Sequence, residues 1–264
     1  MKKSQSTWFE NLPEGKDGAL RLYCFPYAGG SAQVFRGWQR HLAPQAALSL
    51  ARLPGRGARI GEPAFKRYKP LVNALADDMI PELPPAFAFW GHSMGALISF
   101  ELARELRRRG QRAPLALFLS GRRAPQIPDP DPPTFNLPEP EFISELRRLN
   151  GTPMEVLDSP ELKEFFLPTM RADFELVETY EYEPEPPLSC PICAYGGLQD
   201  AHVPAENVKA WQKQTSGAYK VTMFPGDHFY IHSSDDLLHA LRRDVLNLLL
   251  ESPAGYQPRQ QLNF

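Results

Sequence analysis

No stretch of this sequence approaches the run of about 20 apolar residues that a membrane-spanning helix needs. The start, Met1-Lys2-Lys3-Ser4-Gln5-Ser6-Thr7-Trp8, is basic but lacks the apolar core of a secretory signal. Cysteine is scarce: there are 3, an odd number that makes no disulfide framework, so a cytoplasmic protein is expected. Charge of one sign is lacking too. The net charge is −2, which gives no global argument for nucleic acid or an anionic membrane as partner. Gly55-Arg56-Gly57 with Gly61 does not make Gly-x-Gly-x-x-Gly, so there is no dinucleotide fingerprint. His228 and His232 stand four apart without the glutamate of a His-Glu-x-x-His zinc site and without an evident third ligand. Cys190-Pro191-Ile192-Cys193 is a lone C-x-x-C at the entry of an apolar run, with no second pair. Neither a metal nor a cofactor is expected, and no internal repeat is found.

What is present is a chain of 264 residues, 42% hydrophobic, enough for a sizeable core. Its organising stretch is Trp90-Gly91-His92-Ser93-Met94-Gly95. The apolar run Ala86-Phe87-Ala88-Phe89 precedes it, and Ile98, Leu102 and Leu106 follow at helical spacing. Strand, sharp turn and helix around Gly-x-Ser-x-Gly are the setting of a nucleophile elbow. Side chains at positions 91 and 95 would collide with adjacent backbone. The turn would lift the Ser93 hydroxyl above the sheet, at a helix N-terminus that favours developing negative charge. The competing reading is a glycine-rich strand–helix turn without chemistry.

Around it, strands are expected over 20–25, 47–53, 115–119, 191–195 and 220–224, with helices over 33–42, 68–80, 206–215 and 235–250. This alternation predicts a mostly parallel central sheet with helices on both faces, an α/β class. The pattern breaks at Pro125. From there to about 187 the chain is rich in proline and acid, with helices expected over 139–149 and 161–182 and no strand pattern. We read residues 1–264 as a single domain with a helical insertion over about 125–187, a surface lead-in over 1–18 and a loose tail over about 252–264. The apolar residues of the insertion, among them Leu146, Phe165, Phe166 and Met170, need something to cover.

A serine hydroxyl is a poor nucleophile near neutral pH and needs a base, itself held by a third group. On such a sheet the partners follow in the order Ser, acid, His, each just past a strand end. Asp200 fits, in Gly196-Gly197-Leu198-Gln199-Asp200, and His228 fits, in Pro225-Gly226-Asp227-His228-Phe229. Other histidines fit less well. His41 and His239 fall within helices, His92 occupies the variable elbow position and points aside, and His202 would crowd the acid rather than face the serine. For Asp200 the alternative is a turn residue capping the following helix. Asp129, Asp131 and Asp173 are weaker rivals in the insertion. The oxyanion formed on acyl attack needs two N–H donors. Met94, next after the serine, supplies one expectation. Ala28, in Pro26-Tyr27-Ala28-Gly29-Gly30-Ser31, supplies the other.

Taken together, Phe25-Pro26-Tyr27-Ala28-Gly29-Gly30-Ser31, Leu53-Pro54-Gly55-Arg56-Gly57, Gly91-His92-Ser93-Met94-Gly95-Ala96 and Gly226-Asp227-His228-Phe229 resemble the type II thioesterases. These are stand-alone α/β-hydrolases associated with polyketide and nonribosomal peptide synthases. The insertion, including Leu149-Asn150-Gly151-Thr152-Pro153, resembles that family's lid, although Asn150 and Asp227 stand where glycine is more often expected. The resemblance implies an α/β-hydrolase fold with an α-helical lid. It also implies hydrolysis of acyl groups from the phosphopantetheine arm of acyl or peptidyl carrier proteins, as an editing step. Ser93 would attack, His228 would take its proton, and Asp200 would hold the imidazole. Arg52, Arg56, Arg59 and Arg107 to Arg109 would face an acidic carrier, or be ordinary solvated charge.

Two other readings remain open on the residues: a carboxylesterase for free small esters using the same three residues, and a hydrolase-fold interaction protein with a vestigial triad. The initial methionine and short lead-in favour a free-standing enzyme, expected as a monomer. Acyl preference and pathway are not written in the chain.

Overall fold

Among the described residues, seven strands form one sheet: β1 (Phe9–Asn11), β2 (Leu20–Phe25), β3 (Ala46–Ala51), β4 (Phe87–His92), β5 (Leu117–Ser120), β6 (Ile192–Gly197) and β7 (Tyr219–Phe224). Their spatial order is β1-β3-β2-β4-β5-β6-β7. The computed structural model describes residues 7–12 and 20–251. The expected tail and most of the expected lead-in lie outside the described residues. All neighbours pair in parallel except β1, which lies antiparallel on β3 with Phe9 opposite Ala51. Most strands read as near-continuous apolar runs because helices cover both faces of the sheet.

Eight α-helices accompany them among the described residues: α1 (Gln39–Leu42), α2 (Tyr68–Met79), α3 (Met94–Arg108), α4 (Glu139–Leu149), α5 (Met154–Asp158), α6 (Pro160–Glu178), α7 (Ala205–Lys209) and α8 (Asp235–Glu251). The period-two alternation of a strand sorts its side chains between two cores. Tyr23, Phe25, Phe87 and Phe89 enter one, shared with α2, α3 and α7. Leu22, Cys24, Ala88 and Trp90 enter the other, shared with α1 and α8. Edge-to-face rings at 5.8 Å (Phe25–Phe89) and 6.0 Å (Tyr23–Phe89) tie β2 to β4 directly beneath the elbow. This is the α/β-hydrolase architecture that the motif order implies.

The chain between β5 and β6 carries α4, α5 and α6, as the break at Pro125 predicts. Helix α4 spans the expected residues and ends on Asn150 in the left-handed conformation (φ 56°), a position where asparagine substitutes for glycine at small cost. Helix α6 starts at Pro160, capped by the Ser159 hydroxyl accepting the Leu162 N–H. It stops at Glu178 rather than 182, because the Thr179 hydroxyl turns back onto the Glu175 carbonyl and a proline-rich segment follows. Leu146 and Met170 are buried in the insertion's own small core, as expected, but Phe165 faces solvent.

Four further differences are local. Strand β1 falls inside the expected lead-in. The expected helix over 33–42 is a 3-10 turn (Ala32–Trp38) leading into the single turn of α1, and the one over 206–215 is α7 followed by another 3-10 turn (Ala210–Gln214). Helix α5 was not expected at all. The arginines are engaged as well. Arg56 is buried, Arg59 pairs with Glu62 and lies over the Trp8 ring, and Arg107 to Arg109 pair with Glu185, Glu105 and Asp77.

Candidate active site

Ser93 is the single residue between β4 and α3, and its backbone is strained at φ 52°, ψ −111°. A non-glycine residue with positive φ costs about 1–3 kcal/mol and persists only where its surroundings hold it. Here the surroundings are glycines. A side chain at Gly91 would overlap the backbone of Gly95, and one at Gly95 would overlap the Phe25 carbonyl at the end of β2. Strand, helix and the loop after β2 therefore close on one point. The Ser93 N–H is spent on the Ser120 carbonyl of β5 at 2.8 Å, which pins the turn to the next strand.

Asp200 and His228 come together because their loops continue the β6–β7 pairing. The Leu198 N–H donates to the Phe224 carbonyl (2.7 Å), and the Gln199 N–H to the Gly226 carbonyl (3.0 Å). Gly197 is required at this seam, since a side chain there would overlap the Asp227 carbonyl. His228 Nδ1 lies 2.6 Å from Asp200 Oδ2. An ionised carboxylate only accepts, so Nδ1 carries the proton and Nε2 is left as the basic nitrogen. The other carboxylate oxygen, Oδ1, accepts the N–H groups of His202 (2.9 Å) and Val203 (3.0 Å). Burial alone would raise the Asp200 pKa. The hydrogen bond and charge of His228, with the two N–H donors, outweigh it and hold the carboxyl below its ordinary value. The two loops thus fix both members of the pair, and Asp200 is fully satisfied before His228 acts.

A cavity of about 170 Å³ opens above the sheet beneath the insertion. Ser93, His228, Ala28, Tyr27 and Met170 are among the residues that line it. Ala28 lies in the loop after β2, and Met94, buried, opens α3. Of the sequence-predicted residues, Ser93, His228 and Ala28 share this cavity wall, and Asp200 stands behind His228.

The histidines depart from expectation in two places. His92 does not merely point aside. It is fully buried, its ring 5.1 Å from that of His228, with Nδ1 2.8 Å from the Ser120 hydroxyl, which lies 2.6 Å from the Tyr230 hydroxyl. Burial first, then the neighbouring His228 and His232, hold its pKa well below the usual imidazole range. His202 donates its N–H to Asp200 but also lines the cavity, so it is not confined to the acid's side. His232 is 2.9 Å from the Tyr27 hydroxyl and joins the loops after β2 and β7. Burial pushes the thiols of Cys190 and Cys193 up to about 12, so neither offers a thiolate near neutral pH. Tyr27 and His92 hold variable positions of the motifs around Ala28 and Ser93, and His232 follows His228 by four residues; none of these patterns names the contacts they make. Only their neighbourhood in sequence to Ala28, Ser93 and His228 pointed to them.

Comparison with known proteins places this geometry. The thioesterase domain family matches residues 20–245. The gramicidin S biosynthesis protein GrsT of Aneurinibacillus migulanus is 43% identical over 227 residues, covering 86% of this chain and 89% of that one. The protein named linear gramicidin dehydrogenase LgrE of Brevibacillus parabrevis is 41% identical over 257 residues, covering 96% and 97%. Among solved structures, the type II thioesterase BorB from the borrelidin biosynthetic cluster superposes with a TM-score of 0.82 at 33% identity, over 90% of this chain and 97% of that one. With the family matched over nearly all the described residues and the elbow and sheet order in place, the chain belongs to the thioesterase domain family and is a thioester-hydrolysing enzyme of the α/β-hydrolase fold.

Proposed function

We propose that this enzyme hydrolyses acyl groups from the phosphopantetheine thiol of acyl or peptidyl carrier proteins, clearing stalled or aberrant units in polyketide or nonribosomal peptide assembly. The observation that carries the chemistry is the 2.6 Å bond between His228 and Asp200, with His228 in the same cavity wall as Ser93 on its strained elbow. The Ser93 hydroxyl attacks the thioester carbonyl while His228 Nε2 takes its proton. The tetrahedral oxyanion is met by the N–H groups of Met94 and Ala28. The C–S bond breaks, and His228 returns the proton to the departing thiol. Water, deprotonated by His228, then attacks the Ser93 ester and releases the free acid and Ser93. Asp200 keeps the imidazole in the Nδ1–H tautomer and stabilises it when charged.

The carrier as substrate is supported by the likeness to GrsT, a gramicidin S biosynthesis protein, and to BorB, a type II thioesterase from a biosynthetic cluster. The insertion over about 125–187 serves as the lid of a single domain. No helix among the described residues is long and apolar enough to cross a membrane. The three cysteines are unbridged, which suits a reducing compartment, and we place the enzyme in the cytoplasm as a monomer. The name of LgrE raises an oxidoreductase reading, against which stands the lack of a Gly-x-Gly-x-x-Gly after any strand. The test is acyl release from a phosphopantetheinylated carrier, followed by intact-protein mass spectrometry beside a simple free ester. Carrier stripping much faster than ester cleavage supports the proposal. Ester cleavage alone turns the reading to a carboxylesterase, and consumption of a reduced nicotinamide turns it to a reductase.

A further inference from the structure

Three arginines line the cavity that holds Ser93, and two are neutralised where they stand. Arg123 pairs with Asp129 at 2.8 Å and donates to the His202 carbonyl at 2.9 Å. Arg148 pairs with Glu145 at 2.8 Å. Arg122 makes no side-chain hydrogen bond or ion pair among the described residues, and its Nε is buried without an acceptor. The anions of the wall are committed elsewhere or remote. Asp129 and Glu145 hold the arginines just named. Glu178 accepts the N–H groups of Thr134 and Phe135 and the Thr134 hydroxyl. Asp131 is exposed at the rim.

The position of Arg122 is fixed by its backbone. It follows Gly121 (φ 58°) just past β5, two residues beyond Ser120, whose carbonyl receives the Ser93 N–H. The Arg122 carbonyl in turn accepts the Trp211 indole N–H at 2.8 Å. Two hydroxyls stand near the guanidinium, but each serves another acceptor: Tyr180 donates to Glu101 at 2.7 Å and Tyr68 to the Met94 carbonyl at 3.4 Å. Burial, the largest effect, pulls the guanidinium below its ordinary pKa and Arg123 adds repulsion, against a smaller opposing pull from Tyr68, Asp129 and Tyr180. An arginine stays charged even so. Partly exposed to the cavity, with Nε buried and unpaired, the guanidinium offers donors that an oxygen acceptor in that cavity would satisfy.

We propose that Arg122 is a specificity residue of the acyl site, donating to an oxygen acceptor carried by the acyl chain, a keto oxygen or a carboxylate. The enzyme then favours oxygenated chains over saturated hydrocarbon chains of equal length. A saturated chain leaves the guanidinium desolvated and unpaired, whereas a carbonyl or carboxylate satisfies it. This rests on the proposed thioester hydrolysis at Ser93.

The test compares hexanoyl, 3-oxohexanoyl and adipoyl groups on one carrier protein, with wild type, Arg122→Met and Arg122→Lys. Wild type should process the oxygenated chains about 10- to 100-fold faster in kcat/KM than hexanoyl. Arg122→Met should bring the three chains within about twofold of each other. Arg122→Lys should keep part of the preference, most for adipoyl, and so reports even if the methionine variant folds poorly. No preference in wild type, or an unchanged ratio in Arg122→Met, overturns the proposal. Binding of the matching pantetheine amides to Ser93→Ala, by calorimetry, separates the two claims. Tighter binding of oxygenated amides without hydrolysis of any carrier by wild type would leave Arg122 standing and sink the hydrolysis reading.

Discussion

Arg56, from the loop after β3, grips both carboxylate oxygens of Asp173 on α6, each at 2.6 Å and both side chains buried. Asp173 Oδ2 also accepts the Gly29 N–H at 2.7 Å, beside Ala28. One carboxylate therefore joins the insertion, the β3 loop and the loop proposed to hold the oxyanion. Thr169, one turn earlier, donates to the Gly55 carbonyl at 2.6 Å and reinforces the same joint.

Removing one member of a buried pair strands the other. Asp173→Ala should cost about 3–5 kcal/mol in urea unfolding. Arg56→Met with Asp173→Leu together should recover more than half of that loss, because no unpaired charge remains. A double variant as unstable as Asp173→Ala alone would mean that the joint is held by something other than charge pairing.

Asp200→Asn keeps the shape but loses the tautomer control. Turnover should fall about 10³- to 10⁴-fold with KM changed little. The carboxyl is depressed in the folded state, so its contribution to stability is present above the ordinary carboxylate value of about 3.9 and disappears as pH falls through the folded value. The stability gap between wild type and Asp200→Asn should thus narrow from pH 6 toward pH 3. A gap constant with pH would show that Asp200 is not charged against His228.

His92 has the opposite sense. Its folded pKa lies well below 6.5, while the unfolded chain protonates near 6.5. The unfolded state takes up the proton first, so stability should fall as pH drops below 6.5, by up to about 1.4 kcal/mol per pH unit for this one group. His92→Gln should have a shallower slope between pH 7 and 5, measured by urea midpoints. An identical slope in both proteins would contradict the assignment.

Where the fold was legible, the signal was local. The elbow needs only glycines two residues either side of Ser93 and apolar runs before and after. Asp200 and His228 follow from position just past strands, and the structure joins them through the hydrogen bonds that extend β6 and β7. Helix α4 forms over the expected residues 139–149. What escaped was non-local or short. The partners Arg56 and Asp173 are 117 residues apart, and nothing near either one names the other. Strand β1 has three residues, and only its register on β3, Phe9 against Ala51, distinguishes it from a surface lead-in. The burial of His92 depends on Ser120 and Tyr230, which arrive from the end of β5 and from the turn after β7.

Met170 lines the cavity and lies against Gly29, with Phe166 also touching that glycine from α6. Met170→Ala should lengthen the preferred acyl chain by vacating part of the wall, and Phe166→Ala should act more weakly, through the Gly29 loop. Competition among acetyl, butyryl, hexanoyl and octanoyl carriers reads this directly. Identical profiles for wild type and Met170→Ala would remove the insertion from the acyl site.

Hydrolysis by this route passes through a covalent acyl group on Ser93 that His228 then clears. Acyl-carrier and enzyme should be mixed, quenched within milliseconds to seconds, digested and mapped by mass spectrometry. The expected result is an acyl mass on the peptide containing Ser93, which decays as free acid forms and is absent from Ser93→Ala. Acyl release by Ser93→Ala at the wild-type rate, or an acyl mass confined to another residue, would contradict it.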